Sequence, residues 1–145
     1  MILFHHQRPT RICPTIVAMG LAFLLTSCGG GGPKLYPVRG KVLFENQPAE
    51  GGTVVFHPAG GNAKSPKPGG VVAADGSFTL HTYPHGEGAP AGDYGVVVTW
   101  FPPDARGQEN PKNKLPARYA DPAQSELNAT VKPQSNELEP FRLTR

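Results

Sequence analysis

The chain has 145 residues and a mass of 15.4 kDa, which is enough for one domain. Glycine and proline supply 18 and 17 of these residues, about a quarter of the chain, and this argues against a helical bundle. The formal charge of +3 falls to +1 when Arg8 and Arg11 are set aside with the N-terminal segment described below, since 12 basic residues then face 11 acidic ones. The rest of the chain has no basic cluster to match a row of phosphates, so we expect no nucleic-acid binding.

The N-terminal residues follow the charge pattern of a secretory signal, because a cationic stretch with Arg8 and Arg11 precedes an apolar run over residues 12–25. This run is shorter than the roughly 20 residues that a membrane-crossing helix needs. It ends at Leu25-Thr26-Ser27-Cys28, which resembles the lipobox of bacterial lipoproteins. We predict a lipoprotein signal peptide over residues 1–27 and a palmitate-type lipid anchor on Cys28. The alternatives are a plain cleaved signal and an uncleaved signal anchor.

Cysteine usage supports the lipid anchor. Cys13 lies in the segment that would be removed, so Cys28 would be the single thiol of an exported protein and would have no disulfide partner. Two or more acyl chains hold a protein on a membrane at about 0.8 kcal/mol per buried CH₂. Residues 28–34 then form a glycine-rich tether, and Cys28 and Leu35 are at most about 24 Å apart. We therefore expect the folded part, residues 35–145, to lie close to the lipid headgroups on the exported side of the cell membrane.

Short β-strands are predicted from residue 38 onward. Side chains alternate from Val38 to Phe44, with Val38, Gly40, Val42 and Phe44 on one face, so this segment is predicted to be a strand with one buried face. A second strand is predicted over Thr53 to His57 and ends at Pro58. Residues 59–69 are rich in glycine and proline and are predicted to form a loop.

A tight turn is predicted at Asp75-Gly76, because Asp-Gly accepts the positive φ angles of a hairpin. We therefore expect Gly70 to Ala74 to pair antiparallel with Ser77 to Thr82. The next strand, Tyr94 to Trp100, has apolar residues on both faces, which favours a central strand covered on both sides.

The C-terminal strands are shorter. Leu127, Ala129 and Val131 alternate with polar residues in a sixth strand, and Phe141 and Leu143 belong to a seventh. Leu138 has the opposite parity to Phe141 with Pro140 between them, which predicts a bulge or a strand start at a sheet edge. Seven short strands without a helical pattern indicate an all-β fold, a seven-stranded Greek-key β-sandwich.

Three motifs carry a family resemblance. They are Val38-Arg39-Gly40-Lys41-Val42, Ala74-Asp75-Gly76-Ser77-Phe78-Thr79-Leu80 and Pro90-Ala91-Gly92-Asp93-Tyr94. The chain resembles the carboxypeptidase regulatory-like or transthyretin-like β-sandwich domains. Its C-terminal part is similar to small planctomycete-type lipoproteins that carry such a domain alone, through Leu115-Pro116-Ala117-Arg118-Tyr119, Ser125-Glu126-Leu127, Val131 and Asn136. This resemblance implies a non-catalytic module of the cell envelope. The residues themselves predict a close approach to Gly40 and a Tyr94 hydroxyl on a backbone group.

Metal binding is one alternative. His81, His85 and Glu87 are close in sequence, and His57 belongs to a nearby strand; imidazole and carboxylate groups suit zinc or copper. The competing interpretation is a set of exposed polar residues beside Pro84 and Gly86. We expect no bound cofactor.

An enzyme is not predicted. Ser65, Ser77, Ser125 and Ser135 all occur in turn-like settings, and the chain has no Gly-x-Ser-x-Gly motif. The C-terminal residues also do not match the Tyr-Arg-Gly-Ser ending of the transthyretin-like hydroxyisourate hydrolases.

Glycan binding is the other alternative, since Trp100 and Tyr119 with Arg118 are residues that stack on sugars. The competing interpretation is that Trp100 and Tyr119 cap the core, because a small sandwich needs its large aromatic residues for burial. The expected partners are the membrane, through the lipid on Cys28, and an envelope protein or glycan.

Overall fold

The computed structural model describes residues 31–61, 64–103, 106–108 and 112–145. These residues form an all-β structure with one short 3₁₀ helix, Ala117–Ala120. There are eleven strand segments among them instead of the seven predicted. The strands are β1 (Val38–Phe44), β2 (Gln47–Pro48), β3 (Thr53–Pro58), β4 (Gly69–Val71), β5 (Ser77–Thr79), β6 (His81–Thr82), β7 (Gly86–Glu87), β8 (Gly92–Thr99), β9 (Asn128–Val131), β10 (Asn136–Glu137) and β11 (Phe141–Leu143).

The strands form two sheets. In one sheet β1 is central, with β10 and β11 parallel to it on one side and β5 and β2 antiparallel on the other. The second sheet has the order β7-β6-β4-β3-β8-β9, and each of its adjacent pairs is antiparallel. A hydrophobic core lies between them and draws residues from both sheets.

The first strand has the bounds and the buried face that its alternating side chains predict. Val38 and Val42 are fully buried, whereas Arg39 and Lys41 are exposed. A Cβ atom at Gly40 would lie 2.8 Å from the Phe78 ring, so the predicted close approach to Gly40 is confirmed.

A bulge interrupts the C-terminal edge of this sheet, as predicted. Val38 pairs with Asn136 and Val42 pairs with Phe141, so two residues of β1 face the three residues 138–140. Pro140 lies in this extra stretch, where the absence of its N–H removes no ladder hydrogen bond.

β8 is central and is covered on both faces, also as predicted. It lies between β3 and β9, and Val96 and Val98 on its inner face are fully buried. Val97 on the other face is 8% exposed, and the 3₁₀ helix packs against this strand. At the start of the strand the Tyr94 hydroxyl donates a 2.7 Å hydrogen bond to the Pro90 carbonyl, and burial raises the pKa of Tyr94.

The predicted Asp75-Gly76 turn is present, but the predicted strand pairing beyond it is wrong. Gly76 has a φ of 83°, and the Asp75 carboxylate accepts hydrogen bonds from the Ser77 hydroxyl at 2.6 Å and the Ser77 N–H at 3.0 Å, which lower the pKa of Asp75. Next to the turn, the Ala73 N–H donates a 2.7 Å hydrogen bond to the Ser77 carbonyl, as a hairpin requires. Beyond it, β5 pairs with β1 in the other sheet, and the ladder back to β4 is limited to His81 with Gly69. The predicted strand Ser77 to Thr82 therefore divides at the buried Leu80 and crosses between the sheets.

The strand directions define two ends of the folded part. β1 and β8 begin at the end where the chain enters, and we call this the tether end; it comprises residues 31–37, 58–61, 64–68, 83–86, 90–93 and 132–135. At the opposite end, the far end, lie residues 45–50, 73–76, 100–103 and 144–145.

Candidate functional site

The chain is fixed to the folded part at Tyr36. The Tyr36 N–H donates to the Ala89 carbonyl and the Ala89 N–H donates to the Tyr36 carbonyl, both at 2.9 Å. Before this bridge, Gly32 lies beside the His85 imidazole, since a Cβ atom at Gly32 would be 2.8 Å from His85 Nδ1. The N-terminal segment therefore enters the body next to the β6–β7 hairpin.

The predicted lipid-bearing Cys28 and the signal segment 1–27 lie outside the described residues. Within the part of the chain that the structure describes, no helix is both long enough and apolar enough to cross a membrane.

The β6–β7 hairpin has a buried base and an exposed tip. At the base, the Thr82 side chain is fully buried and its hydroxyl donates a 2.7 Å hydrogen bond to the Gly88 carbonyl. At the tip, Tyr83 is 94% exposed, and Pro84 and His85 are also exposed. The hairpin thus presents an aromatic ring to solvent on a well-anchored support.

The proposed metal ligands lie on this hairpin without forming a metal site. His81 and Glu87 are registered partners on neighbouring strands, and His85 lies in the turn between them. Among residues 31–61, 64–103, 106–108 and 112–145, no group of three or more His, Cys, Asp or Glu side chains is placed to hold a metal ion. The metal prediction for His81, His85 and Glu87 therefore finds no support in this geometry.

His57 also lies near the tether end, in β3, and it is half-buried. Burial lowers the pKa of its imidazole, and the charge of Lys67 lowers that pKa further. In the antiparallel ladder of β3 and β4, Val55 pairs with Gly69. His57 lies two residues after Val55 and Lys67 lies two residues before Gly69, so the two positions face each other.

Trp100, one of the predicted sugar-stacking residues, is part of the core at the far end. Its ring is 9% exposed and meets Phe44 edge-on at a centroid distance of 6.1 Å. Its indole N–H donates a 2.7 Å hydrogen bond to the Glu50 carbonyl, and Lys114 Nζ lies 4.5 Å from the ring centroid. The ring is therefore covered by the protein itself.

Tyr119 and Arg118 also help to cover the core at the far end. Tyr119 is 5% exposed, and its hydroxyl accepts hydrogen bonds from the Thr144 N–H at 3.0 Å and from Arg118 Nη2 at 3.1 Å. Arg118 also donates to the carbonyls of Thr144 and Arg145. Burial raises the pKa of Tyr119, but these hydrogen bonds outweigh it and the net pKa is lowered. This geometry supports the core-capping interpretation over the glycan surface.

Surface grooves lie along the sheet edges and at the tether end, where one of about 220 Å³ is lined by Tyr83 and Pro84. One of about 420 Å³ runs between the open edges of the two sheets, and its lining includes Ala129 of β9 and Phe141 of β11. Another of about 300 Å³ lies at the tether end beside Pro33, Pro90 and Tyr94.

Tyr83 belongs to no motif of the sequence. It lies in a Thr-Tyr-Pro-His stretch whose only pattern is the turn chemistry of Pro84. A large aromatic residue beside Pro84 and close to Gly86 was the available signal, because turn tips are exposed and aromatic residues are normally buried.

Comparison with protein-family models, curated proteins and solved structures gives no match for this chain.

Proposed function

We propose that the protein is a membrane-anchored, non-enzymatic lipoprotein of the cell envelope whose folded part is an interaction module. The observation that carries this proposal is the Leu25-Thr26-Ser27-Cys28 sequence directly after an apolar run too short to span a bilayer. In this proposal the module is a Greek-key β-sandwich of the carboxypeptidase regulatory-like or transthyretin-like type, held at the membrane by lipid on Cys28.

The entry of the chain supports a tether. Backbone pairing begins at Tyr36, eight residues after Cys28, and Gly29 to Gly32 with Pro33 fill most of the interval. Eight residue steps span at most about 29 Å. A lipid on Cys28 would therefore keep the module beside the headgroups.

The two-sheet architecture supports the family resemblance. Gly40 receives the Phe78 ring, the Asp75-Gly76 turn is formed, and the Tyr94 hydroxyl bonds to a backbone carbonyl. These are the positions that carry the resemblance, and each has a role in packing or turn geometry.

The serine hydroxyls of two turns have structural roles, which supports a non-enzymatic module. Ser77 Oγ donates to the Asp75 carboxylate at 2.6 Å. Ser125 is 3% exposed, and its Oγ accepts a 3.4 Å hydrogen bond from the Leu127 N–H. Both hydroxyls thus stabilise the turns in which they lie.

Palmitate labelling in a bacterial host tests the anchor. We expect radiolabelled palmitate to enter the wild-type chain and to be lost in Cys28→Ser. Cys13→Ser is the matched control, since the same substitution within the signal segment should leave labelling unchanged. Intact-protein mass spectrometry should give a mature N-terminus at Cys28 with the added mass of the acyl chains.

Equal labelling of the wild type and Cys28→Ser would overturn the lipoprotein proposal. A mature protein that begins elsewhere, or that has an unmodified Cys28 thiol, would do the same.

A further inference from the structure

We infer that the tether end is a docking surface for anionic phospholipid headgroups, in which Tyr83 enters the headgroup layer and the lysines of the same end pair with lipid phosphates. The inference rests on the lipid anchor proposed above. It adds to that anchor a fixed orientation of the module on the membrane.

The covalent chain sets which end faces the lipid. The four residue steps from Cys28 to Gly32 span at most about 14 Å. The body is longer than this, because the eight residues of β8 alone cover about 23 Å from one end to the other. While Gly32 stays beside His85, a lipid on Cys28 brings the tether end to the membrane and leaves the far end away from it.

Tyr83 is placed to use this position. It is 94% exposed at the tip of the β6–β7 hairpin, the same hairpin that Gly32 touches. Tyrosine has an apolar ring with a polar hydroxyl, and such side chains concentrate where a membrane meets water. The Tyr83 ring is not part of the hydrophobic core. A headgroup layer would accommodate both the apolar ring and the polar hydroxyl.

Exposed lysines surround the tether end. Lys34 lies in the entering segment with Nζ 5.4 Å from the Tyr36 ring centroid, and Lys67 lies at the end of the loop before β4. Lys132 follows Val131, which pairs with Gly92 at the start of β8. Carboxylates lie there too: Glu87 is exposed, and Asp93 accepts a 2.6 Å hydrogen bond from the Thr130 hydroxyl. Lysines near an anionic membrane surface each contribute about 1 kcal/mol.

The far end is the competing candidate, since Phe101 there is 51% exposed. Its surroundings include the exposed carboxylates of Glu45, Glu50 and Asp75. Cations lie there too: Lys114 is beside the Trp100 ring, Arg142 donates to Asn46, and Arg145 is exposed. Charge therefore does not separate the two ends. The short tether is what favours the tether end.

A pair of matched labels decides the orientation. Ala91 at the tether end and Ala74 at the far end are both exposed alanines. Ala91→Cys and Ala74→Cys would each carry an environment-sensitive fluorophore in the full lipidated chain, reconstituted into vesicles of phosphatidylglycerol and phosphatidylethanolamine. The introduced thiol is the one labelled, because Cys13 leaves with the signal segment and Cys28 carries lipid. We expect a nitroxide-headgroup lipid to quench the Ala91→Cys label several-fold more strongly.

Mass spectrometry of the same samples separates the two proposals. Suppose that Cys28 carries lipid and the two labels are quenched equally, or the Ala74→Cys label is quenched more strongly. Either result overturns the docking surface and is consistent with the anchor. An unmodified Cys28 thiol overturns both.

Two further variants of the Ala91→Cys protein test the chemistry. Tyr83→Ser should reduce quenching, whereas Phe101→Ser, a matched loss of an exposed aromatic ring at the far end, should not. Equal effects of the two substitutions would overturn the role of Tyr83.

The lysines are tested by charge. The triple variant Lys34→Gln, Lys67→Gln and Lys132→Gln should lower the ratio of docked to undocked module by about fivefold for each lysine. The control has the same charge change elsewhere: Lys41→Gln, Arg142→Gln and Arg145→Gln. Docking should also weaken in phosphatidylcholine vesicles and at high salt. Equal quenching in neutral and anionic vesicles would overturn the choice of anionic lipid.

Discussion

The two ends of the folded part use aromatic residues in opposite ways. At the far end, Trp100 and Tyr119 are 9% and 5% exposed, and the indole N–H and the phenol hydroxyl both have hydrogen-bond partners. At the tether end, Tyr83 is 94% exposed on a hairpin whose base is fixed by the buried Thr82. The far end is closed by its own side chains, whereas the tether end presents a ring to its surroundings.

This difference separates residues that stabilise the fold from those that are available for another role. Burial of a large aromatic side chain stabilises a small sheet-built domain, and its polar atom requires a partner once water is excluded. Trp100 and Tyr119 meet both conditions within the chain. Tyr83 meets neither, so its contribution to stability is small and its ring is available to a partner.

The largest expected effect tests this contrast directly. Trp100→Ala removes a buried ring and leaves a cavity beside Phe44, so we expect the free energy of unfolding to fall by about 3–5 kcal/mol. Tyr83→Ala should change it by no more than about 0.5 kcal/mol. Urea denaturation followed by circular dichroism suits both variants. Tryptophan fluorescence does not, because Trp100 is the one tryptophan of the chain and Trp100→Ala removes it.

Phe101→Ala is the control within the far end, since Phe101 is adjacent to Trp100 but 51% exposed. It should cost much less than Trp100→Ala. Similar losses for Trp100→Ala and Tyr83→Ala would contradict the division between a closed end and an open one.

The second prediction concerns the attachment of the entering chain. Gly88 has a φ of 103°, and a Cβ atom there would collide with the Tyr36 carbonyl. Gly88→Ala should therefore break the Tyr36–Ala89 bridge and lower the free energy of unfolding by about 2 kcal/mol. Hydrogen exchange should show faster exchange of the Tyr36 and Ala89 amides.

Gly86→Ala separates backbone strain from this collision. Gly86 also has a positive φ, 120°, but a Cβ atom there meets nothing within 4 Å. We expect it to cost about 1 kcal/mol and to leave the Tyr36 amide protected. Fast exchange at Tyr36 in both variants would mean that the bridge depends on the hairpin as a whole and not on the space at Gly88.

A third, smaller effect is expected at the phenol of the far end. Tyr119→Phe removes the acceptor for the Thr144 N–H and Arg118, which should cost about 1 kcal/mol and speed exchange of the Thr144 amide. Tyr83→Phe is the matched control, and it should leave stability unchanged. If the Thr144 amide keeps its protection in Tyr119→Phe, the hydroxyl does not hold the C-terminal residues.

Local sequence patterns predicted much of this fold. Alternation gave the bounds of β1 at Val38 and Phe44, and parity with Pro140 gave the bulge between β10 and β11. Apolar residues on both faces of β8 predicted its central place. In each case the information lies within a few neighbouring residues.

The crossing between the sheets was not predictable in the same way. A tight turn at Asp75-Gly76 specifies that the chain reverses, but it does not specify which strand the returning segment joins. Ser77–Thr79 pairs with β1, more than thirty residues earlier in the chain. The choice depends on long-range packing of Phe78 against Phe56 and Phe141, which no local pattern contains.

The candidate site shows the same limit. Cys28 is predicted from a local motif, whereas the adjacency of Gly32 and His85 arises only in the folded chain. The nearness of His81, His85 and Glu87 in sequence suggested a metal site, yet among the described residues no group of three or more His, Cys, Asp or Glu side chains is placed to hold a metal ion.

The smallest expected effect is a pH dependence at the tether end, which the far end lacks in this range. Burial and the charge of Lys67 hold the pKa of His57 below its ordinary value of 6.5. Below that pH the unfolded chain binds more protons than the folded state. The free energy of unfolding is therefore highest above about pH 6.5 and falls as the pH is lowered toward the pKa of His57 in the folded state. Because His57 is only half-buried, this loss should stay within about 0.5 kcal/mol.

Urea denaturation at about pH 8 and about pH 5 measures this loss as the difference in free energy of unfolding between the two conditions. His57→Gln should reduce the difference, and Lys67→Gln should reduce it by less, because burial is the larger cause of the lowered pKa. Lys41→Gln carries the same charge change at an exposed position of β1 and should leave the difference as it is in the wild type. An equal loss in the wild type and in His57→Gln would assign the acid sensitivity to other groups and remove this distinction between the two ends.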